Sequence, residues 1–430
     1  MLDIFQYPEI KFPKEFLWGA TTAGVQIEGN NSSYHDSEEL APKFAFGGMP
    51  YEFPKKACNS YELYEEDIKL LKSMNLNLYR MSIEWCRIEP EKGTFNEKEL
   101  KHYLTILERL KEEGIKVCLT LHHVSHPVWF HRKGSFGTLD NMKDWEEYLE
   151  YVVPKVAEYV DFWIVLNELN LPFEYSLTER LNMVQYHGRG YHIIKKYSSK
   201  PVSSAHSYSE KQPKRGYNDK LDKLMADYID YTENEFFFHA IRTGEITAPF
   251  VDAKYVPEVK GTCDYWALNT YIRQMMDGRR ENFRSDSYTA THFKAIETPF
   301  YTEEICPDIM IQMLMRMKDK PVLITENGIA ANDDRYRVVY ISAMLQALNE
   351  AIRMGADVIG YSHWSLLDNW EWGSYNPNFG LATVDRRTFE RTLKNSGKFY
   401  GEIAKNNGYN QEILRKYLKE LPSIINFKNI

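Results

Sequence analysis

Eight short runs of β-strand character lie along this chain, with helical stretches between them. The runs are Phe16–Thr22, Leu76–Ile83, Lys116–His123, Phe162–Glu168, Pro201–Ser207, Cys263–Tyr271, Pro321–Asn327 and Val358–Ser365. The intervening apolar residues recur near every 3.6 positions: Tyr61, Tyr64, Ile68 and Leu71 mark one face, Leu100, Tyr103, Leu104, Leu107 and Leu110 a second, and Ile341, Met344, Leu345, Leu348 and Ile352 a third. Gly114 and Gly355 stand where two helices should stop before the next strand. Alternation of this kind implies βα units and a parallel sheet, and eight of them predict one closed (β/α)8 TIM barrel. No Pro/Ser/Gly-rich linker or low-complexity stretch divides the 430 residues, so positions 1–430 read as one domain. The fifth run is the odd one, because Ser203, Ser204 and Ser207 make it polar. Three irregular stretches, Asn30–Lys56, Tyr197–Tyr217 and Met276–Thr302, flank strand ends and are expected to build the rim of a cleft.

A barrel of parallel strands gathers its reactive groups at the strand C-termini. Two carboxylates fall at such ends: Glu168 closes Phe162-Trp163-Ile164-Val165-Leu166-Asn167-Glu168, and Glu326 closes Pro321-Val322-Leu323-Ile324-Thr325-Glu326. Two carboxylates facing one cleft can break a glycosidic bond, one as acid and base and the other as nucleophile. Other polar or aromatic residues cluster at strand ends too: Gln26, Arg80, His122, His123, Asn167, Asn269, Tyr271, Trp364, Glu371 and Trp372. Buried polar groups are costly unless something uses them, and a sugar ring, with hydroxyls at its edge and CH groups on its faces, would use these.

Composition narrows the alternatives. The net charge of −8 and the lack of a basic stripe argue against nucleic acid and anionic membrane as partners. No run of about 18 apolar residues suggests a transmembrane helix. The start, Met1 to Pro8, lacks the basic and apolar regions of a signal peptide. The five cysteines are scattered, odd in number and free of CxxC spacing, which points to reduced thiols and a cytoplasmic protein. Aromatic residues make up 14%, a surplus that fits stacking on sugar faces as well as core packing. His122, His123 and His126 cluster, but their side chains alternate on a strand end, so no metal site is read and no cofactor is required. The acidic run Glu62–Asp67 and the Lys-rich tail read as solvated helix faces. The sequence leaves open whether the chain forms a homo-oligomer.

Between Phe16-Leu17-Trp18-Gly19-Ala20-Thr21 and Gly397-Lys398-Phe399-Tyr400 the chain resembles glycoside hydrolase family 1, the β-glucosidase and β-galactosidase family. Tyr79-Arg80-Met81-Ser82-Ile83-Glu84-Trp85-Cys86-Arg87-Ile88-Glu89-Pro90 resembles the family's second strand and loop. Ile324-Thr325-Glu326-Asn327-Gly328 is similar to its nucleophile motif, and Trp364-Ser365-Leu366-Leu367-Asp368-Asn369-Trp370-Glu371-Trp372 to its terminal-sugar motif. The resemblance implies a retaining exo-β-glycosidase acting on small β-glucosides or β-galactosides, without a cofactor. It implies Glu326 as nucleophile, Glu168 as acid and base, and Asn167 as partner of the sugar 2-hydroxyl. Arg80 and Tyr271 would hold Glu326 ionised; Gln26, His123, Glu371 and Trp372 would bind sugar hydroxyls, and Trp364 and Phe379 would wall the subsite. A transglycosylase would use the same residues, and a non-catalytic sugar- or protein-binding barrel would normally lose one of the carboxylates.

The chain departs from that pattern in places. Leu169 stands where Pro usually follows the acid, Val124 where an aromatic residue follows the His123 position, and Thr270 where the first Tyr of Asn-Tyr-Tyr is usual. The loop Gly373-Ser374-Tyr375-Asn376-Pro377-Asn378 is about two residues short. The usual aglycone-platform Trp would fall near Glu303, and 198–217 does not follow the pattern. The chemistry is expected to be intact and the aglycone side remodelled. A carboxylate at Glu371 would repel a 6-phosphate, so an unphosphorylated sugar is expected.

Overall fold

The computed structural model describes residues 4–45, 49–280, 296–297, 302–303 and 305–422. Eight parallel strands close into a barrel: β1 (Leu17–Thr21), β2 (Leu78–Ser82), β3 (Lys116–Thr120), β4 (Phe162–Asn167), β5 (Val202–Pro213), β6 (Trp266–Met276), β7 (Val322–Asn327) and β8 (Val358–Trp364). Neighbours in the chain are neighbours in the sheet, and β8 closes onto β1 with Gly360 opposite Leu17 and Trp364 opposite Thr21. The main crossover helices are α1 (Ser60–Ser73), α2 (Glu97–Glu112), α3 (Met142–Val156), α4 (Leu177–Tyr197), α5 (Lys220–Asp230), α6 (Phe236–Thr243), α7 (Asp308–Arg316) and α8 (Asp334–Arg353), and α9 (Asn395–Asn406) follows β8.

Local chemistry fixes the helix ends. Ser176 and Glu179 form a reciprocal capping box at the start of α4. Gly114 and Gly355 follow α2 and α8 with φ of +70° and +94°, a backbone that glycine adopts without strain.

The core has two layers. Leu17, Leu78, Cys118, Ile164, Ala205, Ala267, Leu323 and the partly buried Ile359, one from each strand, meet inside the barrel. A larger cluster fills the shell between strands and helices and includes Ile68, Leu71, Leu107, Leu110, Met344 and Leu348 from the helical faces. Strand side chains alternate, so the residue two places on from an interior one is again interior. From Leu78, Cys118, Ala205, Ala267 and Leu323 that step leads to Arg80, Thr120, Ser207, Asn269 and Thr325. A polar layer therefore lies directly above the apolar plug, toward the C-terminal face.

Three sequence expectations are corrected. The stretch Tyr197–Tyr217 is not irregular, because β5 runs twelve residues to Pro213 and pairs with β6 from Ala205–Ala267 out to Pro213–Met276. Its polar residues find partners that the sequence does not display: Ser204 Oγ accepts from Leu166 N–H at 3.1 Å and lies 2.7 Å from His187 Nδ1. Strand β3 ends at Thr120, so His122 and His123 belong to the loop above it. Asp67 is buried rather than solvated and pairs with Arg391 at 2.8 Å. Most of the expected rim segment Met276–Thr302 lies outside the described residues, as does the end of the Lys-rich tail. The five cysteines are buried and form no disulfide among the described residues. Among the described residues, no helix is long and apolar enough to cross a membrane.

Candidate active site

Glu326 sits at the end of β7 with both oxygens occupied. Arg80 Nη1 donates to Oε1 at 2.5 Å, and the Tyr271 hydroxyl donates to Oε2 at 2.5 Å. Arg80 comes from the polar layer on β2, where its side chain is fully buried. Its other contacts fix the guanidinium plane: Nη2 donates to Asn167 Oδ1 at 2.5 Å, and Nε to Thr120 Oγ1 at 3.3 Å.

Glu168 follows β4 in a left-handed backbone conformation, φ +50°, which few non-glycine residues adopt without outside support. Its N–H is held by Ala205 O at 2.8 Å. Two residues on, Asn170 clamps the loop to β5: its Oδ1 accepts from Ser207 N–H at 3.0 Å, and its Nδ2 lies 2.8 Å from Ser207 O. Asn269 links the two acids. Thr325 Oγ1 donates to Asn269 Oδ1 at 2.7 Å, which orients the amide so that Nδ2 donates to Glu168 Oε1 at 3.0 Å and to Asn167 Oδ1 at 3.1 Å.

The two carboxyls differ electrostatically. Burial, followed by the negative charge of Glu326, pushes Glu168 up to about 7, while Asn269, Arg80 and the Ser207 hydroxyl pull the other way. Burial also raises Glu326, but there the opposing groups are a guanidinium and a phenol in direct contact.

The remaining sequence candidates line the same end of the barrel. Gln26 donates through Nε2 to Trp370 O at 2.8 Å and Asn369 Oδ1 at 2.9 Å, and reaches Glu371 Oε2 at 3.2 Å. Trp364 Nε1 donates to Glu371 Oε1 at 3.0 Å. Glu371 is buried, and that burial holds its pKa well above the usual carboxylate range. His123 packs face-on near both Trp364 and Trp372, with ring centroids 6.0 and 6.2 Å away. Its Nε2 accepts from Asn167 Nδ2 at 3.1 Å, and burial then the charge of Arg80 keep the ring neutral. Trp364 and Phe379 pack with Ala23 and Ala330, and Tyr271 lies against them. Gln26 Oε1 and His123 Nδ1 are buried without a hydrogen-bond partner. The other histidines point elsewhere: His122, His126 and His131 bond one another in series at 3.2 Å per step.

The sequence puts Asn269 at a strand end without a role and gives no site reading for Ser207, Thr325 or Asn170. Alternation from Ala205 and Leu323 could have placed Ser207 and Thr325 inside the barrel. Asn170 carried no such signal, since its contacts with Ser207 and Glu233 join segments distant in the chain. Val124 is buried with φ +62°, its carbonyl 3.2 Å from the Tyr34 hydroxyl. The side chain of Glu303 lies outside the description.

Comparison with known proteins gives one consistent result. The family model for Glycosyl hydrolase family 1 matches residues 8–409. Beta-glucosidase A of Acetivibrio thermocellus is 28% identical, over 93% of this chain and 100% of its own length. A beta-galactosidase of Saccharolobus solfataricus is 29% identical, over 96% of this chain and 98% of its own. The structure of a beta-glycosidase from Pyrococcus horikoshii superposes with a TM-score of 0.85 at 32% identity, covering 95% of this chain and 98% of that one. The barrel, its paired carboxyls and a match over nearly the whole sequence agree: this chain belongs to glycosyl hydrolase family 1 and is a glycoside hydrolase.

Proposed function

We propose that this chain, working as one domain, is a retaining exo-β-glycosidase that removes a terminal β-D-glucosyl or β-D-galactosyl residue from small β-glycosides. The observation that carries the reading is the asymmetry of the two carboxyls. Glu326 has a donor on each oxygen, one of them a cation, whereas Glu168 rests on the neutral amide of Asn269 and is pushed up to about 7. An anion held for attack beside a carboxylic acid held for proton donation suits a double displacement.

In the first step a Glu326 oxygen attacks the anomeric carbon while the Glu168 proton passes to the glycosidic oxygen. The bond to the aglycone breaks, and Glu326 becomes a neutral ester. Glu168, now ionised and relieved of its charged neighbour, is a base of lowered pKa. It takes a proton from water, the water oxygen bonds to the anomeric carbon, and the ester bond breaks to restore both residues. Asn167, held by Arg80 and Asn269, would bind the 2-hydroxyl, a contact that strengthens in the transition state. The unpartnered Gln26 Oε1 and His123 Nδ1, with Glu371, would take the other hydroxyls. Trp364, Trp372 and Phe379 would face the ring.

The named activities of the relatives support glucosides and galactosides. Glu371, held by Trp364 and Gln26, presents a carboxyl rather than a cation to the sugar, which argues for an unphosphorylated one, and thiols without a disulfide among the described residues suit a reducing cytoplasm. The test is release of p-nitrophenol from β-glucoside, β-galactoside, β-mannoside and β-glucoside 6-phosphate, with Glu326→Gln as control. Turnover of a free sugar that the variant loses supports the reading. Turnover of the 6-phosphate alone overturns the substrate assignment.

A further inference from the structure

Strand β6 does not run regularly through Tyr271. Its pairing with β5 steps from Tyr208 opposite Thr270 to Glu210 opposite Arg273, so Tyr271 and Ile272 together stand against the single residue Ser209. Two residues against one make a bulge, which bends its strand and re-aims the side chains it carries. On its other side β6 loses its neighbour at the same place, because the pairing with β7 ends with Glu326 opposite Asn269. The buried carbonyls just beyond need partners that the β7 ladder no longer supplies.

Side chains supply them. Asn327 Nδ2 donates to Thr270 O at 2.5 Å and to the Tyr340 hydroxyl oxygen at 3.0 Å. The Tyr340 hydroxyl donates to Tyr271 O at 2.9 Å, and the Tyr361 hydroxyl donates to Asn327 Oδ1 at 2.9 Å. The order of protons is forced. Thr270 O and Tyr271 O can only accept, so the amide turns Nδ2 toward Thr270, Tyr340 gives its proton to Tyr271, and Oδ1 is left for Tyr361. Thr270, Asn327, Tyr340 and Tyr361 are all buried, so a bond lost here is not replaced from bulk water. Tyr340 belongs to α8 and packs in the shell outside the barrel. Its hydroxyl nevertheless holds the backbone of the residue whose phenol donates to Glu326 Oε2 at 2.5 Å.

We propose that Tyr340 is a positioning residue for the nucleophile: it pins the bulge at Tyr271 and so aims the phenol at Glu326, while Asn327 and Tyr361 fix the direction of its own proton. The inference rests on Glu326 acting as nucleophile, and it does not require Tyr340 to touch the sugar.

The test compares Tyr340→Phe, Tyr361→Phe, Tyr271→Phe and the double variant Tyr271→Phe with Tyr340→Phe, by pH profiles of aryl β-glycoside turnover and by melting curves. Tyr340→Phe keeps the ring and loses one oxygen. Its kcat should fall about three- to tenfold, and the acid limb of kcat/KM should move to higher pH by about 0.3–1 unit, as the phenol slackens its hold on the Glu326 anion. Tyr361→Phe loosens the amide rather than the bulge itself and should move the limb the same way by less. In the double variant the phenol is already gone, so Tyr340→Phe should leave the limb where Tyr271→Phe put it and change kcat by less than about twofold. A purely structural Tyr340 would lower Tm, leave the limb unmoved and add in full to Tyr271→Phe; an unmoved limb or full additivity would overturn the proposal. If Tyr340→Phe does not fold, Tyr361→Phe decides, and an unmoved limb there overturns it too. No turnover of any aryl β-glycoside by wild type, or a limb unmoved by Tyr271→Phe itself, would overturn the role given to Glu326 and this proposal with it. A limb moved by Tyr271→Phe but not by Tyr340→Phe would overturn this proposal alone.

Discussion

Arg80 and Glu326 meet at 2.5 Å inside the barrel, with 0% and 5% of their side chains open to solvent. Removing water from both charges is expensive, and the pair survives because Asn167, Asn269 and Thr120 hold the guanidinium while Tyr271 holds the second carboxylate oxygen. One buried cation thus organises both halves of the site.

Arg80→Lys keeps the charge and loses the fork. A single ammonium cannot reach Glu326, Asn167 and Thr120 in the geometry that the guanidinium fixes. We expect kcat/KM to fall at least about a hundredfold and Tm to drop, since the buried groups of Asn167 and Thr120 that lose their donor cost roughly 1–3 kcal/mol each. Steady-state kinetics with a melting curve checks both; wild-type values in either would contradict the role given to Arg80.

Tyr271→Phe removes one donor from Glu326 and nothing else of comparable size. Losing that bond favours the protonated form, so the acid limb of kcat/KM should move to higher pH, with kcat reduced by about ten- to a hundredfold. The pH profile of the variant is the measurement. An unshifted acid limb would mean that the phenol does not tune Glu326.

Glu168 ties activity and stability to pH in the same direction. Activity that requires its proton should decline as pH rises through about 7. The folded chain keeps that proton to about 7, whereas an unfolded chain releases it near 4.5. Between those values the folded state binds more protons, so its stability falls as pH rises. Glu168→Gln removes the penalty: its unfolding free energy relative to wild type should be higher at pH 8 than at pH 4, by on the order of 1–2 kcal/mol. Equal differences at the two pH values would count against a raised Glu168.

Asn170→Ala releases the loop behind Glu168 from Ser207. The acid then lacks support for its positive φ, and misplacement of a reacting group by even about 1 Å can cost up to a hundredfold. Expected is a drop in kcat of about tenfold or more with KM little changed. Added azide should recover less than it does for Glu168→Ala, because the carboxyl is still present to compete. A change confined to KM would assign Asn170 to binding instead.

Much of this arrangement was legible in the chain. The runs ending at Glu168 and Glu326 are short, apolar and bounded by polar residues, and buried parallel strands require that pattern. Strand β5 was harder to read, because Ser203 and Ser204 look like loop residues until His187 and Leu166 supply their partners. Asp67 looked solvated for a related reason: its partner Arg391 lies far along the chain. The partners of Glu326 came from strand ends and could be proposed, whereas the support of Glu168 by Asn170 depends on a loop-to-strand contact with Ser207 that local patterning does not encode.

The most direct test of the central claim is trapping with an aryl 2-deoxy-2-fluoro-β-glucoside, followed by mass spectrometry of the digested protein. The fluorine slows both steps and the good leaving group restores the first, so the glycosyl-enzyme should accumulate. Expected is one added sugar on the peptide containing Glu326, at the Glu326 side chain, together with time-dependent loss of activity. A sugar on Glu168 or another residue, or steady turnover of the natural-type substrate with no covalent species on any, would contradict it.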